Sequence, residues 1–142
     1  MKKIIFKLLV LFSIIINLSR ANFSDCGGNK KFEIDTVSVI PIENNENNII
    51  SFTIKGFLKE NIYEGNIFTI INSGAITFVK EKKPICSSDQ SIYCPIESGE
   101  IQYNFNISMS KKTPKGQTLY STVWFTDQNP DQIGCFNINF TL

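Results

Sequence analysis

Ile101-Gln102-Tyr103-Asn104-Phe105-Asn106-Ile107-Ser108-Met109 alternates without a break between an apolar and a polar side chain. A side-chain period of two puts Ile101, Tyr103, Phe105, Ile107 and Met109 on one face of an extended chain and the amides and Ser108 on the other. An amphipathic helix would repeat every three to four residues instead. The segment therefore reads as a β-strand with one buried and one wet face, the pattern of an antiparallel sheet packed on one side only.

The same period recurs on both sides of this strand. Ile49 to Leu58 sets Ile50, Phe52 and Ile54 against Ser51, Thr53 and Lys55. Phe32 to Ile40 alternates and stops at Pro41, and Glu43 to Asn48 reads as an Asn-rich turn. Gly65 to Ile71 ends at Asn72-Ser73-Gly74, and Ala75 to Val79 is followed by a charged stretch. Thr118 to Thr126 follows a turn at Lys111 to Gly116. Ile133 to Leu142, after a polar turn at Asp127 to Asp131, carries Gly134, Phe136, Ile138, Phe140 and Leu142 on one side. Seven short strands divided by turn residues predict an all-β protein, an immunoglobulin-like β-sandwich of two sheets. The immunoglobulin signature itself is missing: Trp124 lies eleven residues before Cys135, and no Cys falls in the second strand.

The first 21 residues read as a secretory leader. Lys2, Lys3 and Lys7 precede the apolar run Leu8 to Ile16, and Ser19-Arg20-Ala21 offers a cleavage site after Ala21. The run is about half of the roughly 20 residues a membrane-spanning helix needs. Residues 22–142 then form one soluble domain. Loss of Lys2, Lys3, Lys7 and Arg20 takes the net charge from +1 to −3. That chain has ten Lys and no Arg, with its charges interspersed, so it lacks the basic face of a nucleic-acid binder.

Four Cys in an exported chain read as a disulfide framework. Cys86 and Cys94 are close enough for a local loop, which leaves Cys26 to pair with Cys135. A zinc site is disfavoured because there is no His and no CxxC spacing. Sequons at Asn22, Asn106 and Asn139 are candidate glycosylation sites. No catalytic residue is expected. The chain lacks His, and it has no GxSxG, P-loop or GxGxxG motif. Glu97 and Glu100 read as solvated loop charges, not as a glycosidase pair. No metal and no cofactor are expected.

The inward faces are rich in Phe, which supplies twelve residues of the 142. Periodicity alone does not separate a filled core from a lined cavity, and close packing of interiors favours the former.

Asp25-Cys26-Gly27, the isolated Cys86 to Cys94 loop with Cys94-Pro95, and Gly99 leading into the Tyr103 strand occur in that order. They are followed by Thr113-Pro114-Lys115-Gly116 before Leu119-Tyr120, by Asp127, and by Ile133-Gly134-Cys135-Phe136. In this arrangement the chain resembles the ML family of MD-2-related lipid-recognition domains. The resemblance covers the whole of residues 22–142. It is strongest to the phosphatidylglycerol/phosphatidylinositol transfer and lysosomal sterol-carrier-like members.

The resemblance implies the pairs Cys26–Cys135 and Cys86–Cys94, and a lipid cavity between the two sheets. Lining residues expected on that basis are Phe52, Ile54, Phe105, Ile107, Phe136 and Ile138. On the sixth strand, Val123 and Phe125 compete with the Trp124 face. The implied function is non-enzymatic lipid binding and transfer between membranes, by a monomer in transient contact with them. Sterol-carrier members carry a further tight disulfide after the first strand. Val39 to Ile49 holds no Cys here, which favours a phospholipid over a sterol. The alternative to both is a sandwich that binds protein or carbohydrate through loop residues such as Lys82, Lys83 and Lys111. The final Phe140-Thr141-Leu142 is no retention signal, so the expected destinations are secretion or the endosomal or lysosomal lumen. N-terminal sequencing of the exported protein should begin at Asn22, and a product that starts at Met1 would rule out the leader.

Overall fold

The computed structural model describes residues 22–87 and 92–142, so the leader expected over residues 1–21 lies outside it. Eight strands follow one another: β1 (Phe23–Asp25), β2 (Phe32–Glu43), β3 (Asn47–Leu58), β4 (Asn66–Ser73), β5 (Ile76–Pro84), β6 (Gly99–Ser110), β7 (Thr118–Thr126) and β8 (Gln132–Thr141). They form two antiparallel sheets, one in the order β1-β8-β7-β4-β5 and one in the order β2-β3-β6. The sheets face each other as a sandwich.

Alternation decides what lies between them. In β6, Tyr103, Phe105, Ile107 and Met109 are buried while Gln102, Asn104, Asn106 and Ser108 are exposed. Its partner β3 keeps register, with Phe52 opposite Phe105 and Ile50 opposite Ile107, so the two strands present one continuous apolar face. Across the gap β4, β7 and β8 contribute Ile67, Ile71, Leu119, Val123, Phe125, Phe136 and Ile138, each at most 2% exposed. At about 25 cal/mol per Å² of apolar surface removed from water, these faces supply the main drive for closing the sandwich.

Three expectations need correction. First, β2 runs on through Pro41 to Glu43, and Pro41 lies opposite Ile50. It is tolerated because β2 is an edge strand, where a missing N–H deprives no neighbour of a bond. The turn that follows is correspondingly tighter, with Asn44 Oδ1 accepting from the N–H groups of Glu46 and Asn47 at 2.9 and 2.7 Å. Second, the charged stretch after Val79 is strand, not loop. Lys80, Glu81, Lys82 and Lys83 lie opposite Ile70, Thr69, Phe68 and Ile67. An edge strand with wet side chains hides its period from a reading based on hydropathy, and charge there discourages edge-to-edge pairing. Lys82 and Lys83 are therefore sheet residues, not the loop residues expected. Third, β1 adds a strand of three residues, too short to show alternation, which pairs Phe23 with Ile138 and Asp25 with Phe136.

Covalent and polar ties fix the periphery. Cys26 and Cys135 are joined with Cα atoms 5.0 Å apart, tethering the start of the domain to β8. Their separation of 109 residues makes this a long-loop bridge, worth about 4–5 kcal/mol in the chain-entropy account. Cys86 and Cys94 close the connection between β5 and β6. The Tyr103 hydroxyl donates to the carbonyl of Ile85 at 2.7 Å, linking β6 to the residue after β5 along one side of the sandwich. Burial holds the Tyr103 phenol above its ordinary pKa of 10.0. The neutral form is thus the one the fold retains, and its stabilisation is complete below about pH 10 and lost as pH rises beyond it. Tyr103→Phe should cost about 1–2 kcal/mol at neutral pH by stripping the Ile85 carbonyl of its donor. The gap between wild type and variant, read from denaturation midpoints, should shrink above pH 10, and a gap constant to pH 11 would contradict this account.

Candidate functional site

Aromatic rings meet between the sheets. Phe52 stacks on Phe105 within the three-stranded sheet, 4.8 Å between centroids and 6° between planes. Across the gap it meets Phe136 and Phe140, each 6.4 Å away. Tyr103 meets Phe125 edge-on at 6.0 Å, and Phe125 lies 6.4 Å from Phe136. The eight residues expected from the sequence to line a cavity are Phe52, Ile54, Phe105, Ile107, Val123, Phe125, Phe136 and Ile138. All lie on inward-facing strand positions, and none is more than 3% exposed.

The structure settles the orientation of β7. Leu119, Ser121, Val123 and Phe125 point inward, whereas Trp124 is half-buried on the outer face of the five-stranded sheet. There it stacks on Phe68 at 5.0 Å with planes 4° apart, and Lys82 Nζ sits 5.5 Å from the Phe68 centroid. These residues, with Ile70, Lys80 and Glu81, line a surface depression of about 460 Å³ outside the sandwich. Trp124 thus belongs to an exterior cluster and not to the interior.

The two ends of the sandwich differ in chemistry. At one end Phe32 caps Phe125 edge-on at 5.3 Å. Beside it Lys31 Nζ lies 3.3 Å from both Asp127 and Glu60 and 3.9 Å from Asp131. Contact with Asp127 raises the Lys31 pKa above its ordinary value. The Asp127 carboxylate is nearly fully buried, so this cation is what makes its burial tolerable. These ion pairs bind three chain segments and close that end. At the opposite end Val39, Phe78, Val79, Phe140 and Leu142 pack on the core without full burial, as Ile34, Ile92, Ile96 and Ile101 do at the Lys31 end. Near this end Ile40 and Ile42, 56% and 47% exposed, lie on the outer face of β2 in register with Ser51 and Ile49, and Ile76 at the start of β5 is 62% exposed. The turn between β6 and β7 adds Lys111, Lys112 and Lys115, all exposed. Lys115 pairs with Glu43, holding that carboxyl below its ordinary pKa.

Sequence reasoning missed these exposed isoleucines, since Ile40 read as a strand end and Ile42 fell between that strand and the turn from Glu43. It also missed the buried polar atoms. Asn48 Nδ2 and Ser121 Oγ, both on inward positions, and Asn72 Oδ1 on β4 are buried with no hydrogen-bond partner among the described residues. Asn22, Asn106 and Asn139 are all exposed.

Comparison with known proteins places this geometry in context. Residues 20–142 match the sequence pattern of the ML domain. A Dictyostelium discoideum protein, provisionally named phosphatidylglycerol/phosphatidylinositol transfer protein 2, is 34% identical over 139 residues, covering 94% of this chain and 97% of its own length. The phosphatidylglycerol/phosphatidylinositol transfer protein of Aspergillus fumigatus is 27% identical over 108 residues, 73% of this chain and 61% of its own. Among solved structures, a Niemann-Pick type C2 protein from the Japanese carpenter ant superposes with a TM-score of 0.65 at 19% identity, covering 84% of this chain and 98% of that one. Chicken MD-1 complexed with lipid IVa gives 0.54 at 12% identity, with 82% and 85% covered. These two share the sandwich architecture. With the domain match spanning residues 20–142 and a relative 34% identical along nearly its whole length, the chain belongs to the ML domain family.

Proposed function

We propose that residues 22–142, once freed of the leader, take up a single glycerophospholipid between the two sheets and carry it between membranes without covalent chemistry. The observation that carries this reading is the pair of facing apolar strand faces, from Phe52 and Phe105 to Phe125 and Phe136. The names of the relatives point the same way, as both are called phosphatidylglycerol/phosphatidylinositol transfer proteins. Each acyl CH₂ moved from water into such a space gains about 0.8 kcal/mol, enough to offset extraction from a bilayer when the whole chain is covered. The eight inward residues named from the sequence are the proposed lining.

The rim at the hairpin-tip end, opposite Lys31, is the proposed mouth. Its exposed Ile40, Ile42 and Ile76 suit shallow contact with lipid, and Lys111 and Lys112 suit an anionic surface, each worth about 1 kcal/mol close to the membrane. The far end, with Asp127, Asp131 and Glu60, carries the opposite charge and would turn away. The protein acts as a monomer, secreted or delivered to the endosomal or lysosomal lumen, with glycans on the exposed Asn22, Asn106 and Asn139.

Lipid extraction and native mass spectrometry of the exported protein should find phospholipid at one per chain. Transfer of labelled phosphatidylglycerol between vesicles should slow as salt rises, and Lys111→Glu with Lys112→Glu should slow it several-fold at low salt. An exported protein with no bound lipid and no transfer would overturn the proposal.

A further inference from the structure

A purely apolar slot would have no use for two of the side chains that face the one proposed between the sheets. Asn48 and Ser121 are 3% and 1% exposed, and neither Asn48 Nδ2 nor Ser121 Oγ has a partner among the described residues. A buried donor left unmade costs about 1–3 kcal/mol, and native interiors hold few of them. Both residues occupy inward positions. Asn48 shares its side of β3 with Ile50 and Phe52, and Ser121 shares its side of β7 with Leu119 and Val123. An aliphatic residue at either place would continue the alternation at no polar cost.

Their levels in the slot differ. Ser121 stands beside Ile138, whose neighbours Phe136 and Phe140 both meet the Phe52 ring. Ser121 is therefore at the depth of Phe52, midway through the sandwich. Asn48 lies four residues nearer the hairpin-tip end on the facing sheet, about 13 Å along the strand at 3.3 Å per residue. An amide nitrogen can only donate, and a hydroxyl can donate. The slot thus carries one donor at mid-depth and another towards the rim.

Given the lipid-carrying reading above, on which this step rests, we infer that the two donors select a ligand with acceptor oxygens spread along its length. Ser121 donates to an ester carbonyl of a glycerophospholipid, and Asn48 donates to its phosphodiester or headgroup oxygens nearer the rim. A sterol has one hydroxyl and leaves at least one donor unmet at either depth. The stability given up in the empty protein is thereby recovered only with the acceptor-rich lipid, so these positions set specificity while the aromatic faces set affinity.

The test uses the full exported chain carrying Ser121→Ala, Asn48→Leu, or both, with Asn48→Ala as a control for the bulk of leucine. Binding of phosphatidylglycerol and of cholesterol from phosphatidylcholine vesicles is measured, together with the melting temperature of delipidated protein. Each substitution should leave the delipidated protein as stable as wild type or more so. Each should weaken phosphatidylglycerol binding about tenfold, the equivalent of one hydrogen bond. The double variant should lower the ratio of phosphatidylglycerol to cholesterol affinity at least about tenfold, because the sterol loses at most one bond. Wild-type phosphatidylglycerol binding that survives both substitutions overturns the inference and leaves the proposed function standing. A wild type that prefers cholesterol also overturns it. A wild type that binds neither lipid removes both.

Discussion

The sandwich depends on one contact across its gap, the meeting of Phe52 with Phe136 and Phe140. Phe52 is held within its own sheet by a parallel stack on Phe105. Every other inward side chain takes its depth from that layer, because strand register transmits it: Ile50 and Ile54 on β3, Ile107 and Tyr103 on β6, Val123 and Ser121 on β7. A shift of one residue in any of these strands would turn its whole apolar set to water. The ladders are irregular at Ile34/Thr36 and Ile71/Asn72, in the pairings of edge strands β2 and β5, and at Phe125/Thr126 between β7 and β8.

Around that layer the two ends are built on different chemistry. The Lys31 cluster joins the segment before β2, the turn after β3 and the turn after β7 through a buried carboxylate, so that end is fixed by charge. The far end is bounded by hairpin tips with exposed isoleucines and by a lysine turn. Apolar faces that drive folding would simply collapse on each other if nothing distinguished the ends. Here one end is tied by charge and the other is formed by hairpin tips, the end proposed above for ligand entry. The unpartnered Asn48 and Ser121 point the same way, since a protein selected for stability alone gains nothing from them.

The legible strands were those with one wet face. Phe105 and its neighbours could be assigned to the interior with no structure, as could Phe52, Phe136 and Ile138, because a half-buried sheet writes its geometry into the sequence with period two. The strands misjudged lie at the sheet edges. Pro41 and the Lys80 to Lys83 run obey the chemistry of an edge, where a missing donor or a solvated charge does no harm. A reading by hydropathy treats the same residues as strand ends and loops. β1, with three residues, is too short to show alternation and left no signal.

By itself the sequence determined the class of the fold, the inward residues of its central strands and the cysteines available to staple it. Each follows from local alternation or from composition. Tertiary structure alone decided which face of β7 looks inward. The segment is apolar on both sides, and only the Phe68 partner beyond the sheet accounts for Trp124. It likewise decided that Ile40, Ile42, Ile76 and three lysines lie at one end, and that Asn48 and Ser121 face inward from opposite sheets. Residues up to a hundred positions apart in the chain become neighbours only when two sheets close over a common core, and no local pattern records that closure.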